Sequence, residues 1–200
     1  MARIPVQDRR VQLVDATIRV MAQDGVAAAT TRRIAAEAKT TLATVHYCFE
    51  SRQTLLRQVL ATIVGQLAGP SDLQLPTGRD LPSLVQELLE GLWVVIEGEP
   101  KRQQLTYELT QFALREPDLT DLARWQYELY YAECTRMLAG VAAATGWAWT
   151  VPLDVVSRML LTAIDGAVLG WLVDGDSAAA KTVLLRYGEL LSTLARPGSS

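Results

Sequence analysis

Apolar residues recur with helical spacing along almost the whole chain. Between residues 8 and 24, Val11, Val14, Ile18 and Met21 fall at three- and four-residue intervals, which predicts one stripe of a helix stopped by Gly25. Thr30, a good N-cap, opens a short helix expected over 31–38, with Ile34, Ala35 and Ala38 as its apolar positions. A break at Lys39-Thr40 leads to a second short helix at about 41–48, and Ser51 caps a longer one carrying Leu55, Leu56, Val59, Leu60 and Ile63. The stretch 68–79, AGPSDLQLPTGR, holds two Pro and two Gly and reads as a linker. Five further helices are expected at about 80–97, 101–115, 118–145, 152–174 and 177–195. Pro82, Pro100, Pro117 and Pro152 fall at or near their starts or breaks, where proline is tolerated. No β-alternation, hairpin signal or internal repeat interrupts the pattern, so the expected fold class is all-α.

Half of the residues are hydrophobic and a fifth are charged, which supplies a packed core and argues against a disordered chain. The net charge of -3 conceals a split. Residues 1–60 carry nine basic side chains against five acids, a balance of +4, and the remainder is acidic, at -7. A polyanionic partner would therefore meet the N-terminal segment, although a solvated charged face accounts for such a patch equally well.

Two short helices joined by a tight turn, inside a basic segment, form a helix-turn-helix pattern, whose second helix enters the major groove of duplex DNA. The residues at its leading end are Thr40, Thr41, Leu42, Ala43 and Thr44. Most are small enough for close approach, and the hydroxyls can bond base edges or phosphates. His46 and Tyr47 on the same helix, and Arg52 at the next helix start, suit phosphate contact. Thr30, and by the family resemblance given next Arg32 and Lys39, complete the candidate DNA-binding set, whereas Ile18, Ile34, Val45, Phe49 and Leu55 read as core.

The stretch TTRRIAAEAKTTLATVHYCFESRQTLL, Thr30 to Leu56, resembles the DNA-binding segment of the TetR family of transcriptional regulators. The resemblance rests on Ile34-Ala35 with Ala38, on the run Ala43-Thr44-Val45-His46-Tyr47-Cys48-Phe49, and on the helix start Ser51-Arg52-Gln53-Thr54-Leu55. It implies a three-helix DNA-binding domain over 1–50, a connecting helix over 51–67, and a larger helical effector-binding and dimerisation domain over 68–200. It also implies a repressor of palindromic double-stranded operator DNA, released by a small-molecule effector. Three positions depart from the family pattern: Lys39 stands at the turn glycine, Thr40 at the usual valine, and His46 at an aromatic that is usually tyrosine. A left-handed backbone at Lys39 would cost about 1 kcal/mol. His46 is the sole histidine, so its protonation could make DNA binding sensitive to pH.

Helices 152–174 and 177–195 are the candidates for pairing with a second copy. Leu160, Ile164, Val168, Trp171, Leu184, Tyr187 and Leu191 are the expected dimer residues, and Gly166 and Gly170 would permit close helix approach. The family resemblance implies an effector pocket, for which Trp93, Tyr107, Glu108, Phe112, Trp125, Tyr130 and Cys134 combine apolar bodies with polar tips.

An enzyme is the main rival reading, but the chain carries no Ser-His-Asp set, no phosphate-binding glycine loop and no metal-ligand spacing. A helical interaction module lacking DNA binding is the other, favoured by Lys39 and His46. No cofactor and no metal are expected. Cys48 and Cys134 follow no redox spacing, MARIPVQDRR lacks a signal-peptide core, and the most apolar window, Met159 to Val173, is interrupted by Asp165. A cytoplasmic protein without membrane association is the expectation.

Overall fold

A computed structural model of the chain describes residues 5–68, 75–76 and 78–198, and its helices begin largely where the sequence supplies a cap. α1 (Val6–Asp24) ends at Gly25, whose φ of 85° suits glycine, and a 3₁₀ turn follows at Val26–Ala28. α2 (Thr31–Glu37) starts at Thr30, whose Oγ1 accepts the Arg33 N–H at 3.2 Å. α3 (Leu42–Cys48) starts at Thr41, which accepts the Thr44 N–H at 3.2 Å. α4 (Arg52–Ala68) starts after Ser51, whose Oγ accepts the Thr54 N–H at 3.1 Å. The linker expected at 68–79 lies mostly outside the described residues.

α5 (Leu81–Glu97) is capped by Asp80, which accepts the Ser83 N–H at 2.9 Å and is held below the usual carboxylate range by hydrogen bonds to Ser83. α6 (Pro100–Arg115), α7 (Thr120–Thr145), α8 (Leu153–Asp174) and α9 (Ser177–Ser192) follow. The fold is all-α as expected, with one small addition. Two three-residue strands, β1 (Trp147–Trp149) and β2 (Ala195–Pro197), pair antiparallel, with Ala148 opposite Arg196. Their pairing joins segments distant in sequence and too short to show a two-residue alternation.

The residues group into two compact units, Met1–Gln66 with Lys101–Tyr127, and Leu67–Pro100 with Glu128–Ser200. In the first, α1 packs on α2 and α3. Its core is built by Leu13, Val14, Val20, Met21, Ile34, Val45, Phe49, Leu55, Leu60 and Ile63, all almost fully buried. The buried stripe of α1 is thus shifted from the expected one, because Val11 is exposed and Ile18 only half-buried while Leu13, Ala16 and Val20 turn inward.

In the second unit α9 packs on both α5 and α8. Gly188 of α9 makes the α5 contact possible: a Cβ there would lie 2.6 Å from Leu89 Cδ1, and the neighbouring Gln86 Nε2 donates to the Leu185 carbonyl at 2.8 Å. Trp93 is buried on α5, edge-to-face with Trp171 at 5.6 Å between ring centroids. Its indole N–H donates to Ser177 Oγ (3.0 Å), which donates in turn to Glu97 Oε1 (2.6 Å).

Candidate nucleic-acid interface and associated sites

Buried Val45 and Cys48, three residues apart, fix which side of α3 faces the core. The opposite side is open: Ala43, His46 and Tyr47 are exposed, Tyr47 at 70%, with Thr41 exposed at the leading end and Leu42 and Thr44 half-buried. The Thr41 and Thr44 hydroxyls lie 2.9 Å apart, so the cap also orders the first turn of the exposed face. A helix held by one apolar edge, with small and hydroxyl-bearing residues outward, has the form that reads a major groove.

The turn between α2 and α3 closes by two backbone bonds, Thr40 N–H to the Ala35 carbonyl (2.9 Å) and Lys39 N–H to the Ala36 carbonyl (3.1 Å). This pattern places one residue in the left-handed region, and here that residue is Lys39, with φ 50°. The position expected to carry strain does carry it.

The arginines around the motif divide by partner. Arg33 pairs with Asp24 (3.0 Å) and Glu37 (3.2 Å), and Arg19 pairs with Glu37 (3.0 Å). Hydrogen bonds from Arg19 and Arg33 hold the Glu37 carboxyl below its usual range, and the bond to Glu37 raises the Arg33 guanidinium. Arg10 donates from Nε to the Cys48 carbonyl at 3.0 Å and lies over the Phe49 ring. Arg32 is exposed and has no such partner among the described residues. The structure therefore separates the adjacent arginines, Arg33 braced within the unit and Arg32 open to solvent.

Arg52 makes contacts inside the unit. Its Nη2 donates to the Val26 carbonyl at 3.2 Å, and its guanidinium lies 5.1 Å from the Phe112 ring centroid. The guanidinium of this half-buried residue is thus engaged by a carbonyl and an aromatic face within the unit. Thr30 uses its hydroxyl as a cap.

The residues expected to line an effector pocket fall in both units, Tyr107, Glu108, Phe112 and Trp125 in the first and Trp93, Tyr130 and Cys134 in the second. Glu108 Oε1 accepts the Val26 N–H at 2.8 Å, a contact that periodicity could not reveal. The Arg57 guanidinium lies 5.8 Å from the Trp125 ring centroid. Tyr107 and Tyr130 are half-buried, and Trp93 is core. Burial, with smaller contributions from Asp165 and Glu133, pushes the Cys134 thiol up to about 12, so it stays protonated and unreactive at neutral pH.

On the second unit, α8 and α9 bound a groove of about 730 Å³. Ala163, Gly166, Ala167 and Gly170 contribute small residues, and Val155, Met159, Val183, Tyr187 and Leu190 contribute exposed apolar side chains, Leu190 at 62%. Nothing lies within 4 Å of a Cβ placed on Gly166 or Gly170. Of the expected dimer residues, Trp171, Tyr187 and Leu191 border this groove, while Ile164 is half-buried. Leu160, Val168 and Leu184 are instead buried within the unit. α8 is apolar on two sides, and periodicity alone did not tell the inward side from the outward one. The same composition makes α8 long and apolar enough to pass as a membrane span, with mean hydropathy 1.5, but one of its sides packs on α9.

Comparison with known proteins agrees with this geometry. Residues 13–59 match the profile described as bacterial regulatory proteins, tetR family. The chain is 33% identical over 172 residues to the HTH-type nicotine-responsive transcriptional repressor HdnoR of Paenarthrobacter nicotinovorans, covering 86% of this chain and 88% of that protein. A crystal structure of a TetR transcription regulator from Haloarcula marismortui superposes with a TM-score of 0.70 at 21% identity, over 95% of this chain and 100% of the other. The multidrug binding protein EbrR complexed with imidazole superposes at 0.60 and 28% identity, over 90% of this chain and 94% of the other. Its proflavin complex superposes at 0.56 and 28% identity, over 90% and 99%. The chain belongs to the TetR family of bacterial regulatory proteins: it is a helix-turn-helix DNA-binding transcriptional regulator, not an enzyme.

Proposed function

We propose that the protein is a cytoplasmic repressor that sits on a palindromic operator as a homodimer and leaves it when a small aromatic nitrogen base binds. The observation that carries the reading is the orientation of α3, with Val45 and Cys48 inward and Thr41, Ala43, His46 and Tyr47 outward. Thr40, Thr41, Ala43 and Thr44 face base edges, and Arg32, His46 and Tyr47 face phosphates.

Self-pairing through the α8–α9 groove supports the operator geometry. A two-fold interface sets two recognition helices about one DNA turn apart. The open Cβ positions at Gly166 and Gly170 suit the close approach of a second copy. Exposed Met159, Tyr187 and Leu190 supply apolar area that a partner would remove from water.

The effector class is carried over from similar proteins, one named as responsive to nicotine and one complexed with imidazole and proflavin. Tyr107, Phe112 and Trp125, all of the first unit, offer ring faces to such a base. An effector releases the protein by binding better to the state that does not fit the operator, and only by that difference in affinity.

The test is a mobility-shift titration on the promoter duplex beside the gene, at two salt concentrations, followed by addition of nicotine or proflavin. Operator binding should survive competitor DNA and weaken as salt rises. Either base should then lower affinity. Binding that competitor abolishes would sink the operator reading. Operator affinity unmoved by both bases would sink the proposed effector class.

A further inference from the structure

We propose that Lys39 adds a phosphate contact to the helix-turn-helix and is kept, despite its strained backbone, for the charge it places beside the DNA. The inference deepens the DNA-binding assignment and rests on it. Among the described residues Lys39 is the only non-glycine residue with positive φ, at 50°. It occupies the left-handed position of a helix-ending turn closed by Thr40 N–H to the Ala35 carbonyl and Lys39 N–H to the Ala36 carbonyl. Glycine meets no steric penalty there, whereas a side chain with a Cβ does. A strained position on a binding element is a reason to look for what the side chain does.

The charge balance of the segment answers that question. Arg10, Arg19, Arg33, Arg52 and Arg57 are each committed to a carbonyl, a carboxylate or an aromatic ring inside the unit. Arg32 and Lys39 are exposed and have no such partner among the described residues. Lys39 stands two residues ahead of Thr41, the cap of the reading helix. A cation there meets the backbone flanking the groove that α3 enters. The strain is present with or without DNA, so it weakens the free protein. The charge acts only when phosphate is near. Stability and affinity should therefore respond oppositely to glycine.

The test uses the full chain with Lys39→Gln and Lys39→Gly, and Arg32→Gln as comparator. Binding to mixed-sequence duplex DNA and to a duplex recovered by selection with the wild-type protein is followed across salt concentrations, and unfolding is followed by denaturant without DNA. Both Lys39 variants should reduce the steepness of log affinity against log salt by about one for each bound subunit, hence about two for a bound dimer, and weaken binding at about 0.15 M salt by at least about fivefold. Lys39→Gln should leave unfolding nearly unchanged, because it keeps the left-handed Cβ. Lys39→Gly should raise the folding equilibrium constant roughly two- to fivefold, as relief of strain outweighs the added freedom of the unfolded chain. Either Lys39 variant binding with wild-type affinity and slope overturns the contact, and Lys39→Gly failing to stabilise overturns the strain. Wild-type protein with no salt-dependent affinity for either duplex would instead sink the DNA-binding assignment beneath it.

Discussion

Glu108 of α6 and Val26 of the turn between α1 and α2 are joined by a hydrogen bond of 2.8 Å from the Val26 N–H to Glu108 Oε1. The Val26 carbonyl on the other side accepts from Arg52 of α4 at 3.2 Å. One residue, fully buried, thus has both backbone groups held by side chains of opposite charge from two other helices. Gly25 lets the carboxylate in, since a Cβ there would lie 3.0 Å from Glu108 Oε1. The entry to the helix-turn-helix is fixed by contacts that no local rule of helix formation supplies.

Removing the acceptor should therefore loosen this junction. Glu108→Ala leaves the Val26 N–H unpaired and should lower stability by about 1–3 kcal/mol, with Glu108→Gln retaining most of it. Gly25→Ala should act in the same direction, because φ is 85° there and the new methyl meets the carboxylate. Denaturant unfolding of the three variants is the check. A Glu108→Ala protein as stable as wild type would mean that water replaces the carboxylate at no cost.

Gly188→Ala weighs two opposing effects. Alanine favours the helix by about 1 kcal/mol, and overpacking against Leu89 costs about 1–3 kcal/mol. Leu89 is fully buried and has nowhere to move, so the net change should be a loss of about 1 kcal/mol. Gly166→Ala, with open space at its Cβ, should stabilise an isolated subunit instead. Thermal unfolding at low protein concentration separates the two.

Concentration-dependent sedimentation tests the groove. Leu190→Asp or Tyr187→Asp places a charge on an exposed apolar face, so under the proposed self-pairing each should leave the helical content intact and shift the protein to a monomer. Operator affinity should fall with it, since each half-site is then bound alone. A Leu190→Asp protein that remains dimeric would move the interface elsewhere.

Acid should release the brace around Glu37. Its carboxyl is held below the ordinary 4.5 by Arg19 and Arg33, so the folded state binds its proton less readily than the unfolded chain. The stabilisation is present above about pH 4.5 and is lost as pH falls through the depressed value. Glu37→Gln should lower the unfolding temperature at neutral pH, and the gap from wild type should close on acidification. A gap that widens in acid would contradict the assignment.

Local rules recovered the helices and the reading motif because both are written in neighbouring residues. Thr30 and Ser51 cap helices by bonds to N–H groups three residues on, so a hydroxyl residue before an apolar stripe was enough to mark those starts, and the structure adds Thr41 and Asp80 as caps of the same kind. Lys39 was legible through the family resemblance, which puts a glycine at its place, and the turn that ends α2 does close there in the left-handed region.

Tertiary structure decided which side of an ambiguous helix faces in and which partner an ionic group takes. α8 is apolar on both sides, and packing against α9 buried Leu160 and Val168 while leaving Met159 and Leu169 exposed. Arg52 and Glu108 are 56 positions apart, yet both close on Val26, and Arg32 and its neighbour Arg33 part company over carboxylates at Asp24 and Glu37. Periodicity of one segment carries no information on the angle at which another segment meets it, and that angle selects the buried face and brings distant charges within reach.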